Sequence, residues 1–198
     1  MNTTNSLTFS KLKILHDDTG GLVKLSTAER IGDNRLFRIL NNFSGRFSLT
    51  NSKDLIKLIN ILNEKLNQNV LDEIVVGFVE GSVLLAYELA RQRGKKFTCS
   101  TGAKIVGYEN YLHFSEPHIK NSECILYGLN KGDKITLIED EISTGDSLIQ
   151  SIKMLQSSGL QVLQICTIIE VVNFNARQKL KEEFGLELIS LIKIELIQ

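Results

Sequence analysis

The segment ITLIEDEISTGDS at residues 135–147 decides the fold class of this chain. Its first four residues are largely apolar and β-branched, which predicts a short buried strand. Two acids follow where that strand should end, and a small polar segment then leads into an amphipathic helix that extends to about Ser157. In open α/β sheets, ligands bind beyond the carboxyl ends of the strands. The segment therefore predicts a ligand site at a sheet edge.

The polar part of this segment has the properties of a phosphate-binding loop. Glycine permits a close approach of the backbone, and the start of a helix offers N–H groups without intrahelical partners. Hydroxyl groups on both sides of the glycine add further donors. The candidate phosphate-binding residues are Ser143, Thr144, Gly145, Asp146 and Ser147. None of them is a lysine. The remaining alternative is a plain helix cap, since Ser, Thr and Asp are favoured at caps.

The two acids before this loop, Glu139 and Asp140, are the candidate catalytic residues. Adjacent carboxylates would repel a phosphate group, so they are better suited to hydroxyl groups or to a divalent metal ion. A ribose phosphate would satisfy both the acids and the loop. A nucleotide triphosphatase would also place acids at a strand end, but it needs a GxxxxGK[ST] loop, and the chain contains none.

The whole segment resembles the phosphoribosyl pyrophosphate signature of type I phosphoribosyltransferases, which has four strand residues, two acids, two further positions and then Thr-Gly-any-Ser. Members that use orotate are the nearest general comparison. The resemblance implies that Glu139 and Asp140 bind the ribose hydroxyls, that the loop binds the 5′-phosphate, and that Mg²⁺ accompanies the pyrophosphate. Thr136 and Glu141 stand where the family usually has apolar residues. Thr136 suggests a strand that is partly exposed at a sheet edge.

A second strand-turn-helix pattern lies at residues 73–94, where the family has its pyrophosphate-binding loop. Gly81 in this pattern could also be only a turn residue. The loop at residues 102–121 corresponds in position to a loop that closes over the substrate in many members. Within this loop, residues 113–118 read HFSEPH. This short segment weakly resembles phosphoribosyltransferase-like proteins encoded near bacterial tellurium-resistance genes. The candidate pyrophosphate-binding residues are Val79, Glu80, Gly81, Ser82 and Lys104.

No metal ligands are identified by the sequence. His113, His118 and Cys124 lie close together along the chain, but their spacing fits no standard zinc pattern and a fourth ligand is lacking. The metal ligands are therefore unknown, and Mg²⁺ is expected only through the family resemblance.

Alternating strands and helices predict the fold around the site. Apolar spacing predicts helices from Ser52 and at residues 82–94 and 176–184, and short apolar runs predict strands at 73–78, 96–101, 123–127, 162–172 and 186–196. We expect an α/β fold with an open, mostly parallel sheet and helices on both faces. One domain over residues 1–198 is expected. The resemblance implies a core at about 52–172 and a small hood from about 1–50 and 173–198.

Composition excludes several classes of protein. Hydrophobic residues make up 42% and charged residues 23%, as in ordinary globular proteins. Basic and acidic residues number 23 each, so no overall charge favours nucleic acid or a membrane surface. Three cysteines without CxxC spacing, no stretch of 18 apolar residues and no signal-like start predict a cytoplasmic protein.

Two functions remain open at this point. The first is a phosphoribosyltransferase that attaches ribose 5-phosphate to a nitrogen of a nucleobase-like acceptor and releases pyrophosphate. The second is a non-catalytic domain that senses phosphoribosyl pyrophosphate or a nucleotide. The family resemblance also allows a homodimer. No motif identifies the acceptor base.

Overall fold

A computed structural model describes residues 11–29, 37–78, 80–115 and 123–197. Its elements, in chain order, are β1 (Lys11–Asp17), β2 (Leu25–Glu29), β3 (Phe37–Asn41), α1 (Ser52–Lys65), β4 (Glu73–Gly77), α2 (Val83–Arg93), β5 (Lys96–Cys99), β6 (Tyr111–Ser115), β7 (Glu123–Tyr127), β8 (Lys134–Ile142), α3 (Asp146–Ser157), β9 (Gln161–Val171), a single 3₁₀ turn (Val172–Phe174), α4 (Ala176–Phe184) and β10 (Leu188–Ile197). No helix in these ranges is both long and apolar enough to cross a membrane.

Six strands form the central sheet in the order β1-β10-β9-β8-β4-β5. All neighbours pair in parallel except β1, which runs antiparallel to β10. The pairing of Gly77 with Ile138 brings the end of β4 beside β8, which continues four residues further. The prediction of an open, mostly parallel sheet is therefore confirmed, and β8 lies near its middle.

Helices cover both faces of this sheet, as predicted. On one face, α1 and α2 pack with Val75 and Ile138 in a buried cluster. On the other face, α3 and α4 pack with Val76 and Leu137 in a second cluster. Successive strand residues thus enter opposite clusters, which explains why the buried strands are apolar at nearly every position.

The expected hood is wrong for two strands. We expected residues 1–50 and 173–198 to lie outside the core, but β1 and β10 are both strands of the central sheet. The reason is burial of β10 on both faces: Ile192, Ile194 and Leu196 pack in one cluster and Leu188 in the other. Strands β2 and β3 form a separate antiparallel pair.

The expected loop at residues 102–121 contains a strand. Its residues 111–115 form β6, which pairs antiparallel with β7 in a separate two-stranded sheet. Phe114 of β6 is buried and meets Phe78 edge to face, with 5.8 Å between ring centroids. This apolar contact holds β6 in place. Residues 116–121 of the expected loop lie outside the described residues.

The expected exposure of Thr136 is also wrong. Thr136 is completely buried because β8 has a neighbouring strand on each side. Its hydroxyl group donates a hydrogen bond to the carboxylate of Glu73, which is also paired with Arg93. A buried hydroxyl is tolerated when it has a partner, and here the partner is another buried polar side chain.

Candidate active site

The acidic pair lies on the part of β8 that extends beyond the end of β4. Ser82, which is fully buried at the start of α2, joins both acids. Its hydroxyl donates to Glu139 Oε2 at 2.6 Å and accepts the backbone N–H of Asp140 at 3.2 Å. The two segments singled out in the sequence are therefore in direct contact, and one hydroxyl fixes the position of both acids.

Gly81 is needed because the carboxylate of Asp140 packs directly against it. A Cβ atom at this position would lie only 2.0 Å from Asp140 Oδ2. Glu80, Gly81, Ser82, Glu139 and Asp140 thus form one group of candidate residues, whereas Val79 lies outside the described residues. Gly81 is more than a turn residue, since no larger residue could accept this contact.

The candidate phosphate loop joins β8 to α3 by a tight turn at Gly145. Gly145 has a φ of +77°, and a Cβ atom there would lie 3.0 Å from Ala176 Cβ of α4. The backbone N–H of Asp146 donates to Thr144 Oγ1 at 3.3 Å. The cap residue of α3 is Gly145, which has no side chain, so the simple cap interpretation does not account for the glycine.

Arg46 lies beside the candidate acids, although no motif in the sequence points to it. It lies between β3 and α1, with Nε 3.4 Å from Glu80 Oε2 and a terminal nitrogen 3.5 Å from Asp140 Oδ2. Its guanidinium group also lies over the ring of Phe47, 5.1 Å from the centroid. Arg46 is the only charged residue in segment 42–50. That isolation was the one available signal, and it does not specify a site.

Polar atoms around Arg46 are buried without hydrogen bonds. They are Arg46 Nε, Ser44 Oγ and Thr50 Oγ1. The segment itself is held in place, because Asn41 Oδ1 accepts backbone N–H groups of both Phe43 and Ser44. Buried polar atoms normally have partners, so a group of three exceptions calls for an explanation, and a role in binding or catalysis is one.

Lys179 of α4 is a second residue near the candidate site that no motif in the sequence indicates. Its Nζ donates to the backbone carbonyl of Thr144 at 3.1 Å and lies 3.6 Å from Asp146 Oδ1. It comes from a helix 33 positions after Asp146 in the chain, so no local motif could connect it with the phosphate loop. The helix packing that brings them together is a tertiary effect.

Lys104 occupies a different position from the other candidates. Its Nζ lies over the ring of Tyr111, 4.5 Å from the centroid, and the side chain is exposed. A side-chain hydrogen bond with Tyr111 raises the pKa of Lys104. The structure therefore pairs Lys104 with an aromatic ring of β6 and does not bring it to the acids.

A cleft of about 490 Å³ opens beside α4 and shares Ala176 with the phosphate loop. Glu170 lines it, and burial alone would raise the pKa of this carboxyl group. Hydrogen bonds from Arg177 and Ser190 outweigh burial and lower the pKa below its usual value. The carboxylate of Glu170 is thus held charged next to the candidate site.

A family model described as phosphoribosyl transferase matches residues 24–196 of this chain. Among curated proteins, the chain is 34% identical over 82 residues to a hypoxanthine/guanine phosphoribosyltransferase of Methanothermococcus okinawensis, which covers 41% of this chain and 44% of that protein. It is 31% identical over 77 residues to the protein of the same name from Methanobacterium lacus, covering 39% and 40%. The chain thus spans less than half the length of these relatives.

Solved structures with similar folds include adenine phosphoribosyltransferases. The protein of Leishmania tarentolae has a TM-score of 0.67 at 17% identity, covering 92% of this chain and 94% of that one. The protein of Trypanosoma brucei, solved with AMP, pyrophosphate and ribose-5-phosphate, has a TM-score of 0.59 at 18% identity, covering 72% and 65%. At these identities the likeness concerns the fold. These relatives are named for purine bases, whereas members that use orotate were the expected comparison from the sequence.

Proposed function

Because the chain belongs to the phosphoribosyl transferase family, we propose that it transfers ribose 5-phosphate from phosphoribosyl pyrophosphate to a ring nitrogen of a purine base. One observation carries the proposal: Ser82 and Gly81 hold Glu139 and Asp140 between two loops that can each bind a phosphate group. The names of the relatives, hypoxanthine/guanine and adenine phosphoribosyltransferases, support a purine acceptor.

In this proposal the acids bind the sugar. The ribose 2′ and 3′ hydroxyls donate hydrogen bonds to Glu139 and Asp140, because ionised carboxylates are acceptors only. The 5′-phosphate lies in the loop of Ser143, Thr144, Gly145, Asp146 and Ser147. With both ends held, the anomeric carbon has one fixed position, and positioning of this kind supplies much of the catalysis.

The reaction needs no nucleophile from the protein. The bond between the anomeric carbon and the pyrophosphate oxygen breaks, and its electron pair leaves with pyrophosphate. A ring nitrogen of the base forms the new bond to that carbon, and the ring N–H proton is released to solvent. Positive charge develops on the ribose in between, and the carboxylates of Glu139 and Asp140 are placed to stabilise it.

The pyrophosphate end is assigned to Glu80, Gly81 and Ser82 together with Arg46. Four carboxylates lie on or beside the end of β8, at positions 80, 139, 140 and 141. A doubly phosphorylated group would be repelled there without a compensating cation. Arg46 contacts two of these acids, and its fork of donors matches phosphate oxygens. Val79 and Lys104 stay predictions from the sequence.

Magnesium fits this arrangement as a partner of the substrate. Glu139 and Asp140 offer carboxylate oxygens, but in the described part of the chain no three His, Cys, Asp or Glu side chains cluster tightly enough to hold a metal ion by themselves. Mg²⁺ commonly takes one or two carboxylates and completes its shell with substrate phosphates and water. When bound, the ion would neutralise negative charge on the departing pyrophosphate.

The test is pyrophosphate release with phosphoribosyl pyrophosphate, Mg²⁺ and each of hypoxanthine, guanine, adenine and orotate. We expect turnover with a purine, a loss of about a hundredfold or more in Asp140→Asn, and little change in Asp54→Asn, a matched exposed acid on α1. Normal turnover by folded Asp140→Asn would refute the assigned role. Saturable binding of phosphoribosyl pyrophosphate without release for any base would favour the sensing domain instead.

A further inference from the structure

The phosphate loop has an unfavourable charge for the ligand proposed to bind there. Its central residues include Asp146 and no lysine or arginine. A phosphate dianion approaching Asp146 would meet a carboxylate, and the backbone N–H groups of a helix start supply only partial positive charge. A cation from elsewhere in the chain would remove this conflict.

Helix α4 is packed so that it can supply this cation. Ala176 is buried directly against Gly145, where an added Cβ atom would come within 3.0 Å. One turn later, the backbone N–H of Lys179 donates to the carbonyl of Asn175. Residues three apart lie on the same face of a helix, so Lys179 shares the face of Ala176, and its Nζ donates to the Thr144 carbonyl at 3.1 Å.

The contacts of Lys179 differ from those of the other described cations on α3 and α4. Lys153 pairs with Glu183, Lys181 with Glu187 and Arg177 with Glu170, each at 2.5 to 2.6 Å. Lys179 instead lies 3.6 Å from Asp146, too far for a direct hydrogen bond, and its side chain is 43% exposed. It is anchored to the loop by a carbonyl and has N–H donors left for an incoming anion.

We infer that Lys179 is the cationic residue of the phosphate loop, contacting the 5′-phosphate of the substrate and offsetting the charge of Asp146. The inference rests on the proposed function, because it names a further residue for the same phosphate. The cation that many phosphate sites carry within the loop is supplied here by a neighbouring helix.

The experiment measures binding of two separate probes by calorimetry: ribose 5-phosphate, and pyrophosphate with Mg²⁺. In Lys179→Gln we expect the affinity for ribose 5-phosphate to fall about tenfold, which corresponds to one charge-assisted contact. The affinity for pyrophosphate should change less than about twofold, because that group is assigned to the other loop. Lys179→Arg should recover most of the affinity.

Asp146 provides a second variant with the opposite expectation. Asp146→Asn removes the repulsive charge, so ribose 5-phosphate should bind more tightly than to the original chain. The double variant Asp146→Asn/Lys179→Gln should bind it more tightly than Lys179→Gln alone. A role of Lys179 in helix packing only would instead weaken both probes, and Asp146→Asn would bring no gain. Either of those results overturns the inference, and the Asp146→Asn result stands even if Lys179→Gln does not fold.

Lys153→Gln is the matched control. It also removes one lysine that joins α3 to α4, through Glu183 at 2.6 Å, but it does so away from the phosphate loop. It should bind both probes as the original chain does. Equal behaviour of Lys153→Gln and Lys179→Gln would overturn the inference while leaving the proposed function intact. Failure of the original chain to bind ribose 5-phosphate and phosphoribosyl pyrophosphate would overturn both.

Discussion

At the scale of single residues, the site depends on contacts between groups that are far apart in the chain. Ser82 and Glu139 are 57 positions apart in the chain, yet Ser82 Oγ lies 2.6 Å from Glu139 Oε2. Gly81 has no side chain and so leaves room for the carboxylate of Asp140. Arg46 comes from a third segment and contacts Glu80 and Asp140. The three segments are far apart in the chain, and the fold brings them together beside the end of β8.

Arg46→Gln is expected to weaken binding of phosphoribosyl pyrophosphate about tenfold, because the diphosphate would then meet the acids without this cation. Calorimetry measures the effect, and Arg46→Lys should recover only part of it, since an ammonium group cannot form the same fork of hydrogen bonds. Arg38→Gln is the matched control, because Arg38 also lies over Phe47 at 5.1 Å. Equal losses in both variants would mean that Arg46 acts through Phe47 packing.

At the scale of secondary-structure elements, β4, β8 and β9 carry a polar network at their amino-terminal half, away from the acids. Glu73 pairs with Arg93 at 2.5 Å, and both side chains are almost completely buried. Gln164 of β9 donates to Glu73, and Arg93 also donates to Asn63 of α1 and to the Asn67 carbonyl. The network joins the ends of α1 and α2 to the three middle strands of the sheet.

Removing one partner of this pair should be costly. Arg93→Met leaves the Glu73 carboxylate buried without its cation, and we expect a loss of about 3–5 kcal/mol in the free energy of unfolding. Urea denaturation measures it. The double variant Glu73→Gln/Arg93→Met should recover a large part of the loss, because no buried charge is left alone. A similar loss in both variants would show that packing, and not charge, dominates at this position.

Sequence patterns predicted the regular elements well and the long-range contacts poorly. The strand and helix around residues 135–157 were predicted because apolar periodicity is a local property. The buried position of Thr136 in a central strand was not predicted, because its hydrogen-bond partner Glu73 lies 63 positions away in the chain. Strand β10 was assigned to a hood for the same reason, since strand order is decided by pairing between distant segments. Arg46 and Lys179 entered the site through packing that no spacing in the sequence encodes.

At the scale of the whole molecule, a buried carboxylate joins β9, α4 and β10, and the arginine paired with it is partly exposed. Glu170 is 4% exposed and accepts hydrogen bonds from Arg177 and from Ser190. Burial raises the pKa of Glu170, but these hydrogen bonds lower it by more, so the net pKa is below its usual value. The folded protein therefore holds the proton more weakly than the unfolded chain does. The resulting stability is present above the unfolded pKa of about 4.3. It is lost as the pH falls through the lower folded pKa.

Acid unfolding should therefore depend on Glu170. Between about pH 6 and pH 3 the free energy of unfolding should fall more steeply for the original chain than for Glu170→Gln, which has no proton to bind there. Urea titrations at a series of pH values measure both curves, and Glu182→Gln, an exposed acid on α4, is the control. Parallel curves for Glu170→Gln and the original chain would contradict the prediction.

The antiparallel pairing of β1 with β10 places Lys11 directly opposite Ile197. A short flexible peptide could join these neighbouring positions, and the exposed turn before β8, at Asn130 and Lys131, could be opened instead. The result would be a circular permutant whose new ends lie before the amino-terminal end of β8, at the opposite end of that strand from Glu139 and Asp140. The seam would join the edge strand β1 to its neighbour β10, and reporter domains could be fused at the new ends without crowding the ligand.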